Sequence, residues 1–116
     1  MDSNPAGEYN EGTAMTRVLV LYAQPSDSST FERYYFETHV PIAKKLPGLR
    51  SYQVSTRSPG VIAGDQPPYL VAELSFDNEV AVQAALKSPE GQATAGDLAN
   101  FARAGVTILT YDVKDV

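Results

Sequence analysis

Residues 69–76 read YLVAELSF, with Leu70, Ala72, Leu74 and Phe76 on one side and Val71, Glu73 and Ser75 on the other. Alternation of this kind marks a strand with one face against a core. Upstream, Gly64-Asp65-Gln66-Pro67-Pro68 and Ser58-Pro59-Gly60 bracket a loop, and the alternating run Leu49–Arg57 before it reads as a second strand. Downstream, Asp77 or Asn78 is placed to cap an Ala-rich helix, and Ser88-Pro89-Glu90 offers a fresh cap with proline in the first turn. The second helical region is therefore expected in two pieces, about 79–87 and 89–102, followed by a last strand over Gly105–Val113. Towards the N-terminus, Arg17–Gln24 is a run of β-branched residues and leucines closed by Pro25-Ser26-Asp27-Ser28, a strand and its turn. Ser29 or Thr30 can cap the helix that follows. Its core face carries Phe31, Tyr35, Thr38, Ile42 and Leu46 at helical spacing, and Pro47-Gly48 stops it.

The order is β-α-β-β-α-β. It predicts a ferredoxin-like α+β domain, a four-stranded antiparallel sheet with its helices on one face. The first strand asks for more, because it is apolar at every position from Val18 to Ala23 and both of its faces want burial. The last strand sets Val106 and Ile108 on one face and Leu109, Tyr111 and Val113 on the other. Helices cover one side only. The simplest cover for the other is the same sheet in a second copy, an isologous homodimer, since a monomer would expose a large apolar patch. Residues 1–15 are polar and without periodicity, so they are expected to form a flexible N-terminal arm, with the domain over 16–116.

At 116 residues and 43% apolar composition there is room for one domain and one packed core. A net charge of −5 argues against a nucleic-acid partner, which needs a basic face. With no cysteine there is no disulfide, no thiolate metal site and no cysteine nucleophile. No apolar run approaches membrane-spanning length and no secretory signal is visible, so a cytoplasmic protein without a membrane partner is expected. There is no Gly-rich phosphate loop and no nucleophile elbow. One histidine is too few for a transition-metal cage within one chain, so no metal and no cofactor is expected.

The one histidine is the strongest chemical candidate. Pro41, two residues after His39, cannot donate to the Glu37 carbonyl, so the helix should kink or restart near His39. A restart would place His39 at a helix N-terminus, whose positive end favours neutral imidazole, a usable general base. The competing reading is a histidine that only caps the broken helix. Tyr35 shares the inward face one turn away, and Tyr22, Tyr52 and Tyr111 fall in strands. Their hydroxyls could orient a substrate or stabilise a phenolate or enolate, or they could simply fill the core. Tyr35 and Tyr52 are the catalytic candidates beside His39, and Tyr22, Phe31, Tyr111 and Asp97 the substrate-binding ones. Asp97 could also orient His39, or be a solvated helix-face carboxylate.

The stretches FERYYFETHVPIAKKLPGLRSY (31–52) and PPYLVAELSFDNEVAVQAALKSPEGQATAGDLANF (67–101) resemble the EthD-like family of the dimeric α/β-barrel superfamily. The likeness is carried by His39-Val40-Pro41, Leu46-Pro47-Gly48-Leu49 and Ser88-Pro89-Glu90-Gly91, followed by Asp97 and Phe101. It implies a homodimeric α/β barrel with a cleft between each sheet and its helices. The superfamily includes cofactor-free quinone-forming monooxygenases, muconolactone isomerases, polyketide cyclases and haem-degrading enzymes. The resemblance thus implies a cofactor-independent enzyme acting on a hydrophobic, aromatic or polyketide-like small molecule. Proton abstraction by His39 would lead to oxidation, isomerisation, cyclisation or decarboxylation. The alternatives are a non-catalytic small-molecule binding or sensing dimer, and haem binding through His39.

Overall fold

The computed structural model describes residues 15–116, so the expected N-terminal arm lies outside the described residues except for Met15, which opens the first strand. The elements are β1 (Met15–Tyr22), α1 (Ser28–Tyr34), a π-helical turn (Tyr35–His39), α2 (Val40–Ala43), β2 (Ser51–Val54), β3 (Leu70–Phe76), α3 (Glu79–Lys87), α4 (Pro89–Phe101) and β4 (Val106–Val113). The strands form one sheet in the order β2-β3-β1-β4 with every neighbour antiparallel. This is the ferredoxin-like α+β fold.

Register explains the core. Thr16, Val18, Val20 and Tyr22 of β1 stand opposite Phe76, Leu74, Ala72 and Leu70 of β3, and all are buried on the helix side. Each of the larger side chains contributes roughly 1.5–3 kcal/mol by leaving water. Phe31 and Tyr35 close over them, with Phe31 edge-on to Tyr22 at 5.5 Å and stacked along Tyr35 at 6.0 Å. The aromatic contacts pin α1 onto β1 and fix where the chain stands eight residues after Phe31, at His39.

Helix ends follow local chemistry. Asn78 accepts from the Ala81 N–H at 2.9 Å, and Ser88 Oγ accepts from the Gly91 N–H at 3.0 Å. The first helix is capped by Asp27 rather than by Ser29 or Thr30. Asp27 has extended backbone and accepts from the Thr30 N–H, and the Thr30 hydroxyl donates back to its second oxygen. β2 is shorter than the expected 49–57. Ladder bonds from Arg50 N to Ser75 O and from Ser55 N to Val71 O flank it, and the chain then leaves towards Pro59 and Gly60.

The opposite face of the sheet carries Leu19, Leu21, Val71, Leu109, Tyr111 and Val113, with an Arg17–Glu73 ion pair among them. Among the described residues no helix lies over it. Leu109 and Tyr111 are 46% and 40% exposed, and Arg17 Nε is buried without a partner among the described residues. Among the described residues no helix is long and apolar enough to cross a membrane.

Candidate functional site

The inward face of the first helical region is Phe31, Tyr35, His39, Ala43 and Leu46, while Thr38 and Ile42, expected there from α-helical spacing, are only half-buried. The cause is the π turn. The Val40 N–H reaches the Tyr35 carbonyl, a five-residue step that rotates every later side chain around the axis. Pro41 sits in the first turn of α2 and has no N–H for Glu37, so the wide turn forms where an α-helical bond is already missing. His39 is thereby carried from the shoulder of the helix into the interior, 3% exposed.

Inside, His39 meets α4. Asp97, Asn100 and Phe101 are spaced i, i+3, i+4, so one face of α4 presents all three. His39 Nδ1 lies 2.9 Å from Asp97 Oδ2, and the ring is 4.6 Å from that of Phe101. Asp97 Oδ1 accepts from the Tyr34 hydroxyl at 2.6 Å and from Asn100 Nδ2 at 2.9 Å. Burial alone would raise the Asp97 carboxyl, but the bonds from Tyr34, Asn100 and His39 outweigh it and hold it below the usual carboxylate range. For His39 burial is the larger influence and lowers its pKa, with the Asp97 carboxylate opposing. The consistent state is an ionised Asp97 accepting Nδ1–H from a neutral imidazole. Nε2 is then left with a lone pair, and it has no hydrogen-bond partner among the described residues.

His39 forms part of the wall of a cavity of about 90 Å³ between sheet and helices. Tyr22 and Tyr52 share that wall with aliphatic groups from β1, β3 and α4, and Leu86 and Ile108, each about half exposed, stand at its mouth. The Tyr35 hydroxyl lies 2.7 Å from that of Tyr52, and the Tyr35 ring stacks on His39 at 5.5 Å. Burial is the main reason the pKa values of Tyr22, Tyr35 and Tyr52 are all raised, so these phenols stay protonated and act as neutral hydrogen-bond donors. A neutral imidazole and a phenol in the wall of one small apolar space are the kinds of group that general-base and oxyanion-donor chemistry use.

Of the residues singled out above, His39, Tyr22 and Tyr52 line the cavity, and Tyr35 and Asp97 stand directly behind Tyr52 and His39. Asp97 is buried rather than solvated, because three donors replace water around it. Phe31 lies deeper among Tyr22, Tyr35 and Phe101 and does not line this cavity. Tyr111 is on the other side of the sheet, paired in register with Arg17, and cannot reach His39. Tyr34 and Asn100 were not legible as site residues, although the i, i+3 spacing of Asp97 and Asn100 on one helix was a usable signal. Among the described residues no three of His, Cys, Asp and Glu are grouped to hold a metal ion.

Comparison with known proteins bears on the family and the fold. Residues 23–105 match the EthD domain. An uncharacterized 11.0 kDa protein from the thcB–thcC intergenic region of Rhodococcus erythropolis is 35% identical over 103 residues, covering 88% of this chain and 98% of that protein. The crystal structure of an EthD-family protein from Bacillus halodurans is 33% identical with a TM-score of 0.76, covering 88% of this chain and 99% of that one. Two more distant structures share the fold alone. A dimeric ferredoxin-like protein of Thermobifida fusca has 13% identity and a TM-score of 0.64, covering 86% of this chain and 92% of that one. The hydroxynitrile lyase of Passiflora edulis has 10% identity and a TM-score of 0.69, covering 90% and 97%. The chain belongs to the EthD family.

Proposed function

We propose that this EthD-family chain is a cofactor-independent enzyme in which His39 removes a proton from a small hydrophobic molecule, aromatic or polyketide-like, bound between sheet and helices. The observation that carries the reading is the Asp97–His39 pair, whose side chains are 4% and 6% exposed for His39 and Asp97 respectively. It commits Nδ1 and leaves Nε2 at a cavity wall. A histidine that merely capped α2 would spend its ring on the helix backbone, and His39 makes no side-chain cap bond there. In this account the proton passes from an acidic C–H or O–H of the substrate to Nε2. The imidazolium formed is stabilised by Asp97, and the negative charge left on a substrate oxygen is met by the Tyr52 hydroxyl, itself held by Tyr35. The apolar wall selects for a hydrophobic substrate and strengthens these interactions by excluding water. Redox, isomerising or bond-cleaving chemistry after that step belongs to the substrate's own electronics. The Passiflora edulis lyase, itself an enzyme on this fold, supports catalysis on the scaffold without fixing the reaction.

The working unit is a homodimer joined through the uncovered face of the sheet. The Thermobifida fusca neighbour, described as dimeric, supports a dimer, and the apolar side chains left uncovered on the sheet favour that face. With a substrate in hand, kcat/KM should climb with pH as His39 loses its proton, with a midpoint below the ordinary histidine value of about 6.5, because burial lowers the His39 pKa. A profile still climbing above pH 8 would assign the proton transfer to another group. A binding or sensing dimer would show ligand affinity with no turnover at any pH.

A further inference from the structure

The geometry points to Tyr34 and Asn100 as positioning residues that hold the Asp97 carboxylate and thereby set the proton affinity of His39. The inference rests on the reading of His39 as a base, and it adds what controls that base. His39 takes one carboxylate oxygen of Asp97, and the other takes two donors, the Tyr34 hydroxyl and the Asn100 amide. Tied at both oxygens, the carboxylate has no freedom to turn about its own bond. Its charge is also shared among three donors, which weakens its pull on an imidazolium and favours the neutral ring.

Neither residue touches the cavity. Both line an open groove of about 500 Å³ on the other side of Asp97, where the Tyr34 ring stacks on Phe101 at 5.4 Å. They therefore act through Asp97 and not on substrate. The groups that face His39 are Asp97 and Phe101 from α4, Tyr35 from its own helical region, and Tyr22 and Tyr52 across the cavity from the sheet. Only Asp97 among them carries charge, so the donors on Asp97 are the remaining lever on the imidazole.

His39 is the only histidine in the chain, so its titration is read from a single imidazole signal by NMR on the full-length protein without any substrate. Tyr34→Phe keeps the ring stack and removes one donor, and Asn100→Ala removes the other. Each should raise the His39 midpoint, and the double variant should raise it further. Once a substrate is known, the acid limb of the pH–rate profile should move by the same amount. Midpoints equal to the wild-type value in both folded single variants would overturn the inference. If Tyr34→Phe does not fold, Asn100→Ala decides by the same midpoint. The two ideas fail separately: full turnover in His39→Gln with shifted midpoints in these variants would refute the base and leave the positioning role standing.

Discussion

In the proposed mechanism the two nitrogens of His39 have different tasks, and Asp97 decides which is which. Replacing Asp97 with Asn tests this, because the amide has one acceptor and one donor end. Tyr34 and Asn100 both donate to the Oδ1 position, so the amide oxygen goes there and its NH2 faces His39 Nδ1. Nδ1 must then accept, the proton moves to Nε2, and the base is lost with little change in shape. Turnover should fall by about 10²–10⁴, measured as kcat on folded protein, while an unchanged rate would remove Asp97 from the mechanism. Stability should follow the same groups. His39 has a lowered pKa when folded, so the unfolded chain binds its proton first and stability is lost as pH falls below about 6.5. Asp97 is also lowered, so its contribution is present above about pH 3.9 and is lost below it. Melting temperature against pH should show both losses in the wild type and only the lower one in His39→Gln. At this scale the sequence exposed His39, because it is alone, and Asp97, because it accompanies the family motif. It hid Tyr34, since two adjacent tyrosines look alike until the helix shows that one turns to α4 and the other to the sheet.

Among the elements, the pieces set by local chemistry were legible and the π turn was not. Asn78, Ser88 and Pro89 announce their helix starts by residue type, and the break between α3 and α4 falls where Ser88 and Pro89 demand it. Pro41 announced a disturbance near His39, but proline chemistry alone does not say whether a helix kinks, restarts or widens. Packing goes with the widened turn, which holds Tyr35 in the core and His39 against Asp97. The corner between α3 and α4 has a similar hidden constraint. A Cβ on Gly91 would lie 2.1 Å from the Ala85 carbonyl oxygen and 2.7 Å from that of Leu86, so no side chain fits without moving backbone. Gly91→Ala should therefore destabilise the domain by about 1–3 kcal/mol in a denaturant titration and disturb the cavity wall that Gly91 helps form. Wild-type stability and activity in that variant would show that the corner is looser than described.

For the whole molecule, the fold was readable because strand periodicity, turn residues and caps all pointed to the same topology. The functional reading was less complete, because a cavity is made by residues distant in sequence, and strand pairing decides which tyrosines enter it. Tyr111 shows the limit: register with Arg17 sends it to the face away from His39. That face is where the proposed homodimer joins. Leu19, Leu21, Leu109 and Val113 would close against their counterparts in a second copy. Sedimentation should give about twice the chain mass at micromolar concentration. Leu19→Asp should shift it towards monomer and lower the melting temperature, because an unpaired carboxylate buried at an apolar interface is costly. A wild-type protein that sediments as a monomer would contradict the dimer.

The most direct test of the account is His39→Gln, with turnover and melting temperature measured on the same preparation. Glutamine keeps hydrogen-bonding capacity near Asp97 but has no titratable nitrogen. A positioned base is worth about 10²–10⁴ in rate, so the account predicts a loss of that order in a protein that still folds and keeps its cavity. Full turnover with a lowered melting temperature would contradict it and leave His39 as part of the architecture.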